Sequence, residues 1–220
     1  MIKWLFNYSR WTWIQTSAAT ITSQADKVLV ASLLGTTIFA YYAIGAMILN
    51  QFHALFNAAV AWVFPIVSER SARKQDLTQL FSFMRLVVSG IVFAAQFGIL
   101  LLADFIFPAW LGAEFYTESK PFIYAFLIYG AVLSGTITPY FFLNGMGNVK
   151  MNTGFELVLK SLNFIALLLG FYVAGSEGII FGMASTTFLF MVTQELMVRK
   201  RVFNRSFAMR EFEFLIPILL

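Results

Sequence analysis

Long apolar runs, each broken by only a few polar residues, alternate with short turn-like segments along the whole chain. Residues 86–107, for example, are apolar except for Ser89, Gly90, Gln96, Gly98 and Asp104. A helix that crosses a bilayer needs about 20 mostly apolar residues, each rising about 1.5 Å. Six segments reach that length: 11–33, 38–66, 80–108, 121–143, 152–174 and 178–198. Strands of a membrane barrel would instead show about ten residues of alternating polarity, a pattern absent here. The expectation is an all-α integral membrane protein, one six-transmembrane-helix bundle over residues 1–220. Leu34-Gly35-Thr36-Thr37, Asn144-Gly145-Met146-Gly147-Asn148 and Gly175-Ser176-Glu177-Gly178 predict compact hairpins, and 68–79 and 110–120 the two longer connections. No repeat relates the first three spans to the last three, and no small-residue cleavage site separates residues 1–10 from the first span as a leader would require.

Composition agrees with a lipid solvent: 60% of residues are hydrophobic, 12% charged, and mean hydropathy is +0.78, against about 25% charged in soluble domains. Charge then orients the bundle. With six crossings, Lys3, Arg10, Arg70, Arg73, Lys74, Lys150, Arg199, Lys200, Arg201, Arg205 and Arg210 fall on one side. Lys120 falls on the other, with Asp104, Glu114, Glu118 and Glu177. The excess of Lys and Arg predicts that both termini are cytoplasmic. Dispersed over juxtamembrane loops, these bases suit anionic lipid headgroups rather than nucleic acid. The chain has no Cys and one His, so disulfides, thiolate chemistry, zinc sites and a Ser-His-Asp triad are not expected. No cofactor or metal is implied. Asp104, Glu114 and Glu118 on the outer side are too little for acid–base catalysis of glycosyl transfer, which argues against an enzyme.

The candidate chemistry lies inside the spans. Asp26 and Lys27 are adjacent charges within 11–33, where each costs about 2.5–3.5 kcal/mol at the bilayer centre. They either neutralise each other or a neighbour as a structural pair, or they face a polar cavity. Thr16, Thr20, Ser23 and Lys27 recur at helical steps on one face, with Gln15, Thr22 and Asp26 beside it. Asn152, Glu156, Lys160 and Asn163 form a second stripe. Glu156 and Lys160, four apart, could satisfy each other or serve a ligand. His53, near Asn50, Gln51 and Asn57, is either a proton relay or an interhelical hydrogen-bonding group. Arg85 is expected as an interfacial anchor, and Gln194 and Glu195 as surface partners of Arg199.

The run Ser23-Gln24-Ala25-Asp26-Lys27-Val28-Leu29-Val30-Ala31-Ser32-Leu33-Leu34-Gly35, then Tyr41-Tyr42-Ala43-Ile44 and Phe64-Pro65-Ile66-Val67-Ser68-Glu69, resembles polysaccharide and O-antigen flippases. These belong to the multidrug, oligosaccharidyl-lipid and polysaccharide exporter superfamily. Trp110-Leu111-Gly112, the stretch from Pro139 to Asn148, and Gly178-Ile179-Ile180-Phe181-Gly182 are similar to the same family. The resemblance, greatest to the C-terminal half, implies one lobe of a two-lobed exporter fold in the cell inner membrane. It implies flipping of an isoprenoid-pyrophosphate-linked oligosaccharide for cell-surface polysaccharide or lipopolysaccharide synthesis, by alternating access. Lys27 would meet the pyrophosphate, in a cavity shared with Asp26, Ser23, Thr20, Glu156, Lys160 and Asn163. A separate first-half polypeptide or a second copy of the chain would supply the other lobe; termini on one side permit a homodimer about an axis along the membrane normal. A drug or small-cation exporter lobe stays open, because Asp26 and Glu156 balance Lys27 and Lys160. So does a non-transporting scaffold or truncated remnant. The apolar run 212–220 suggests a truncated product, a split gene or a short interfacial helix.

Overall fold

The computed structural model describes residues 2–202, with side chains except those of 2–8, 18, 19, 22, 23, 197 and 200–202. The run 212–220 therefore lies outside the described residues, as does the side chain of Ser23. The elements are α1 (Ile2–Val60), α2 (Val63–Ala72), α3 (Thr78–Leu111), α4 (Ala113–Ser134), α5 (Ile137–Gly145) and α6 (Val149–Val202). The described residues contain no strand.

Four stretches are long and apolar enough to cross a membrane: Gln24–Val60, Thr78–Leu111, Ala113–Gly145 and Val149–Leu196. The hydrophobic pattern predicts six spans, and the difference lies in α1 and α6, each of which contains a reversal. In α1, Gly35 adopts φ 75° and ψ 171°, a conformation open mainly to glycine. Asp26 and Asn50 line a common cavity, although a straight helix would hold them about 36 Å apart. The limbs before and after Gly35 therefore fold against one another. In α6 the break is at Ala174 and Gly175. A Cβ on Gly170 would overlap the Gly178 carbonyl, and one on Gly182 the Ala166 carbonyl. Partners that move apart in this order define two antiparallel limbs, brought together by small residues at the crossing.

The other connections differ from the sequence expectation. Helix occupies most of 110–120, so only Gly112 joins α3 to α4 where a longer outer segment is expected. There Asp104 accepts a bond from the Tyr116 hydroxyl at 2.6 Å and pairs with Lys120 at 2.6 Å, tying the two helices across the turn. Of 68–79, residues 68–72 continue α2 and 78 and 79 open α3. The expected span 121–143 is broken between α4 and α5.

Three apolar clusters form the core. One joins α2, α3, α5 and the end of α6 around Phe81, Phe142 and Val198. A second packs both limbs of α1 against α4 and α6 around Tyr42, Phe126 and Ile179. The third joins α1, α3 and α4 around Phe107, Tyr116 and Ile123. The charged residues Arg85 and Glu195 are also buried, at 2% and 1% exposure. This corrects the expectation of an interfacial Arg85 and a surface Glu195. Gln194, next to Glu195 in sequence and also expected at the surface, is buried too.

Candidate functional site

A cavity of about 200 Å³ opens between α1, α4 and α6. The first limb of α1 contributes Asp26 and Lys27, and the second limb Asn50 and His53. From α4 come Tyr129 and Leu133, and from the α4–α5 break comes Thr136. The first limb of α6 adds Glu156, Lys160 and Asn163. The reversal at Gly35 explains why residues more than 20 positions apart in one helix meet here. Helical periodicity explains the α6 contribution, since 156, 160 and 163 recur on one face.

Six of the eight residues singled out from sequence thus share one cavity: Asp26, Lys27, His53, Glu156, Lys160 and Asn163. Thr20 does not line it; its hydroxyl is exposed and donates to the Thr16 carbonyl at 3.0 Å. Ser23 shares the helix, but its side chain is outside the described residues. Asn152, from the same stripe as Glu156, is fully buried and donates to Asn144 Oδ1 at 3.0 Å, joining α6 to α5. Asn57 donates to the His53 carbonyl of its own helix at 2.8 Å.

Asp26, Lys27, His53, Glu156 and Lys160 all line this one cavity. No ion pair within 4 Å joins these acids and bases among the described residues. Pairs that do form among the described residues include Arg73–Glu69, Arg85–Glu195, Lys120–Asp104 and Arg199–Glu195. Two acids, two ammonium groups and one imidazole therefore share a polar space without closing on each other. Such an arrangement can receive an anion at the lysines, or a cation or proton at the carboxylates. No cluster of three or more His, Cys, Asp or Glu suited to a metal ion occurs among the described residues.

One wall is fixed by a hydrogen-bonded trio that sequence reasoning missed. Asn163 Nδ2 donates to Thr187 Oγ1 at 3.2 Å and lies 3.4 Å from the Tyr129 hydroxyl, and Thr187 Oγ1 lies 3.4 Å from that same hydroxyl. Asn163 is therefore engaged in packing as well as facing the cavity. A signal existed: Asn163 lies eleven residues before Ala174 and Thr187 twelve after Gly175, so a hairpin turning there sets them opposite each other.

A family model described as polysaccharide biosynthesis protein matches residues 1–120. That segment holds both limbs of α1, and with them Asp26, Lys27, Asn50 and His53. No curated protein and no solved structure matches the chain.

Proposed function

From the premise that the chain belongs to the polysaccharide biosynthesis protein family, we propose that it flips an isoprenoid-pyrophosphate-linked oligosaccharide across the inner membrane, as one lobe of a transporter. With the reversals at Gly35 and Gly175, α1 and α6 each cross twice and, with Thr78–Leu111 and Ala113–Gly145, make six crossings with cytoplasmic termini, following the Lys and Arg distribution. Lys27 and Lys160 are the groups to meet the pyrophosphate, as point charges in a site walled by apolar helices. Asp26 and Glu156 balance them while the site is empty.

The observation that carries this reading is a polar surface running into the cavity. Thr12, Thr16, Thr20, Gln24 and Lys27 are all exposed and recur at steps of four, four, four and three along the first limb of α1. The Thr16 and Thr20 hydroxyls bond their own backbone, but Gln24 and Lys27 are costly against lipid and are expected instead to border protein or a water-filled space. Size supports the same conclusion. A cavity of about 200 Å³ is too small for a sugar chain of several residues. The glycan therefore needs space bounded by another lobe, which a separate polypeptide or a second copy would supply across this polar face.

A second reading has its own observation: Asp26, Glu156 and His53 around a small cavity also suit a small-cation exporter lobe. The two are separated in proteoliposomes by supplying either a labelled isoprenoid-pyrophosphate oligosaccharide or a lipophilic cation. The flippase reading predicts movement of the first only, lost in Lys27→Ala and Lys160→Ala. Cation export that survives both lysine changes and fails in Asp26→Asn would support the second reading.

A further inference from the structure

The break between α4 and α5 has a cause in the sequence. In a continuous helix the Gly135 carbonyl would accept the N–H of residue 139, but Pro139 has none and its ring crowds that carbonyl. The chain instead ends α4 at Ser134 and restarts at Ile137, which places Pro139 in the first turn of α5, where no N–H is needed. Most carbonyls freed by the break find local donors. Ser134 Oγ donates to the Ala131 carbonyl at 2.6 Å. The Gly135 N–H donates to the Val132 carbonyl at 3.1 Å, and Thr136 gives Leu133 its N–H at 3.0 Å and its hydroxyl at 2.8 Å.

The Gly135 carbonyl takes its donor from a different helix: Nη1 of Arg85, on α3. That guanidinium is buried and faces Glu195 Oε2 at 3.6 Å, while Glu195 Oε1 accepts from Arg199 Nε at 2.7 Å. Met191, one turn before Glu195, packs so closely on Gly135 that a Cβ there would overlap its sulfur. Three elements, α3, the break and the second limb of α6, thus meet at one carbonyl. The residue after it, Thr136, lines the cavity.

We infer that Gly135–Thr136 is a hinge in the cavity wall, and that Arg85, held by Glu195, is the clamp that closes it. With the clamp engaged, α5 is fixed at its angle to α4 and Thr136 is shielded. With the clamp released, α5 swings and exposes the cavity toward the end of the bundle that carries Arg85. The clamp is suited to reversal because a buried ion pair gives up much of its hydration when it closes and regains it when it opens.

The chain has no cysteine, so a single Thr136→Cys in the full-length protein reports on the hinge without background. The measurement is the rate of labelling by a membrane-impermeant maleimide in proteoliposomes. Losing the buried hydrogen bond from the guanidinium to the Gly135 carbonyl predicts labelling faster by about tenfold or more in Arg85→Leu, and neutralising the carboxylate that holds Arg85 predicts faster labelling in Glu195→Gln as well. Pro139→Ala restores the missing N–H, so Arg85→Leu with Pro139→Ala returns toward the parent rate. Unchanged labelling in both single variants, or faster labelling that Pro139→Ala does not reverse, overturns the inference. Should Arg85→Leu fail to accumulate, Glu195→Gln with and without Pro139→Ala makes the same comparison. Labelling needs no transport, so this result stands apart from the flippase reading.

Discussion

The Arg85 cluster and the polar cavity each hold acids and bases inside the bundle, but only the first closes its charges on one another. Glu195 bridges Arg85 and Arg199, and the Gly135 carbonyl accepts from the Arg85 guanidinium, with Phe81 under Arg199 and Met191 packed on Gly135. In the cavity, Asp26, Lys27, Glu156 and Lys160 share space without ion pairs within 4 Å, and Lys27 is exposed. A closed pair holds its helices together for as long as it stays engaged. Charges left apart around a polar space are arranged for something that enters it.

Breaking the closed cluster has the largest expected effect. Glu195→Ala leaves the Arg85 charge buried without its carboxylate and should cost about 3–5 kcal/mol of stability, read as a loss of unfolding free energy in detergent. A variant as stable as the parent would erase the distinction between the two regions. Thr187→Val sharpens it at the boundary, because Thr187 supports the cavity wall through Asn163 and Tyr129. It should cost about 1–2 kcal/mol while retaining binding at Lys160. If stability is untouched and only transport falls, the trio belongs to the substrate path instead. The smallest effect on stability belongs to the cavity lysines. Lys27→Ala and Lys160→Ala should each change it by about 1 kcal/mol or less while abolishing transport. A large loss of stability in either would make the cavity structural.

Much of the cavity was legible in the sequence. Asp26 and Lys27 stand out because charge is expensive in an apolar span, and Glu156, Lys160 and Asn163 because they repeat at helical spacing. His53 stands out as the one imidazole. Local spacing could not show that Thr20 turns its hydroxyl to its own backbone, because a threonine in a helix serves either use. Arg85 misled for a related reason. A long basic side chain near a span's end usually reaches the interface, and only the Pro139 break and Glu195, both distant in sequence, explain its burial. The helix reversals were legible as glycines, but the continuation of helix through most of 110–120 was not. Polar residues such as Glu114, Thr117 and Glu118 suggest a loop when their place in a helical turn is unknown.

The most direct test is flipping of a labelled isoprenoid-pyrophosphate oligosaccharide in proteoliposomes, by the chain alone and with a candidate partner lobe, in parent and Lys27→Ala forms. The account predicts flipping that requires two lobes, whether from a partner or from paired copies, and that is lost in Lys27→Ala while the protein stays inserted and folded. Flipping that persists in Lys27→Ala, or none in any combination with correctly inserted protein, would contradict it.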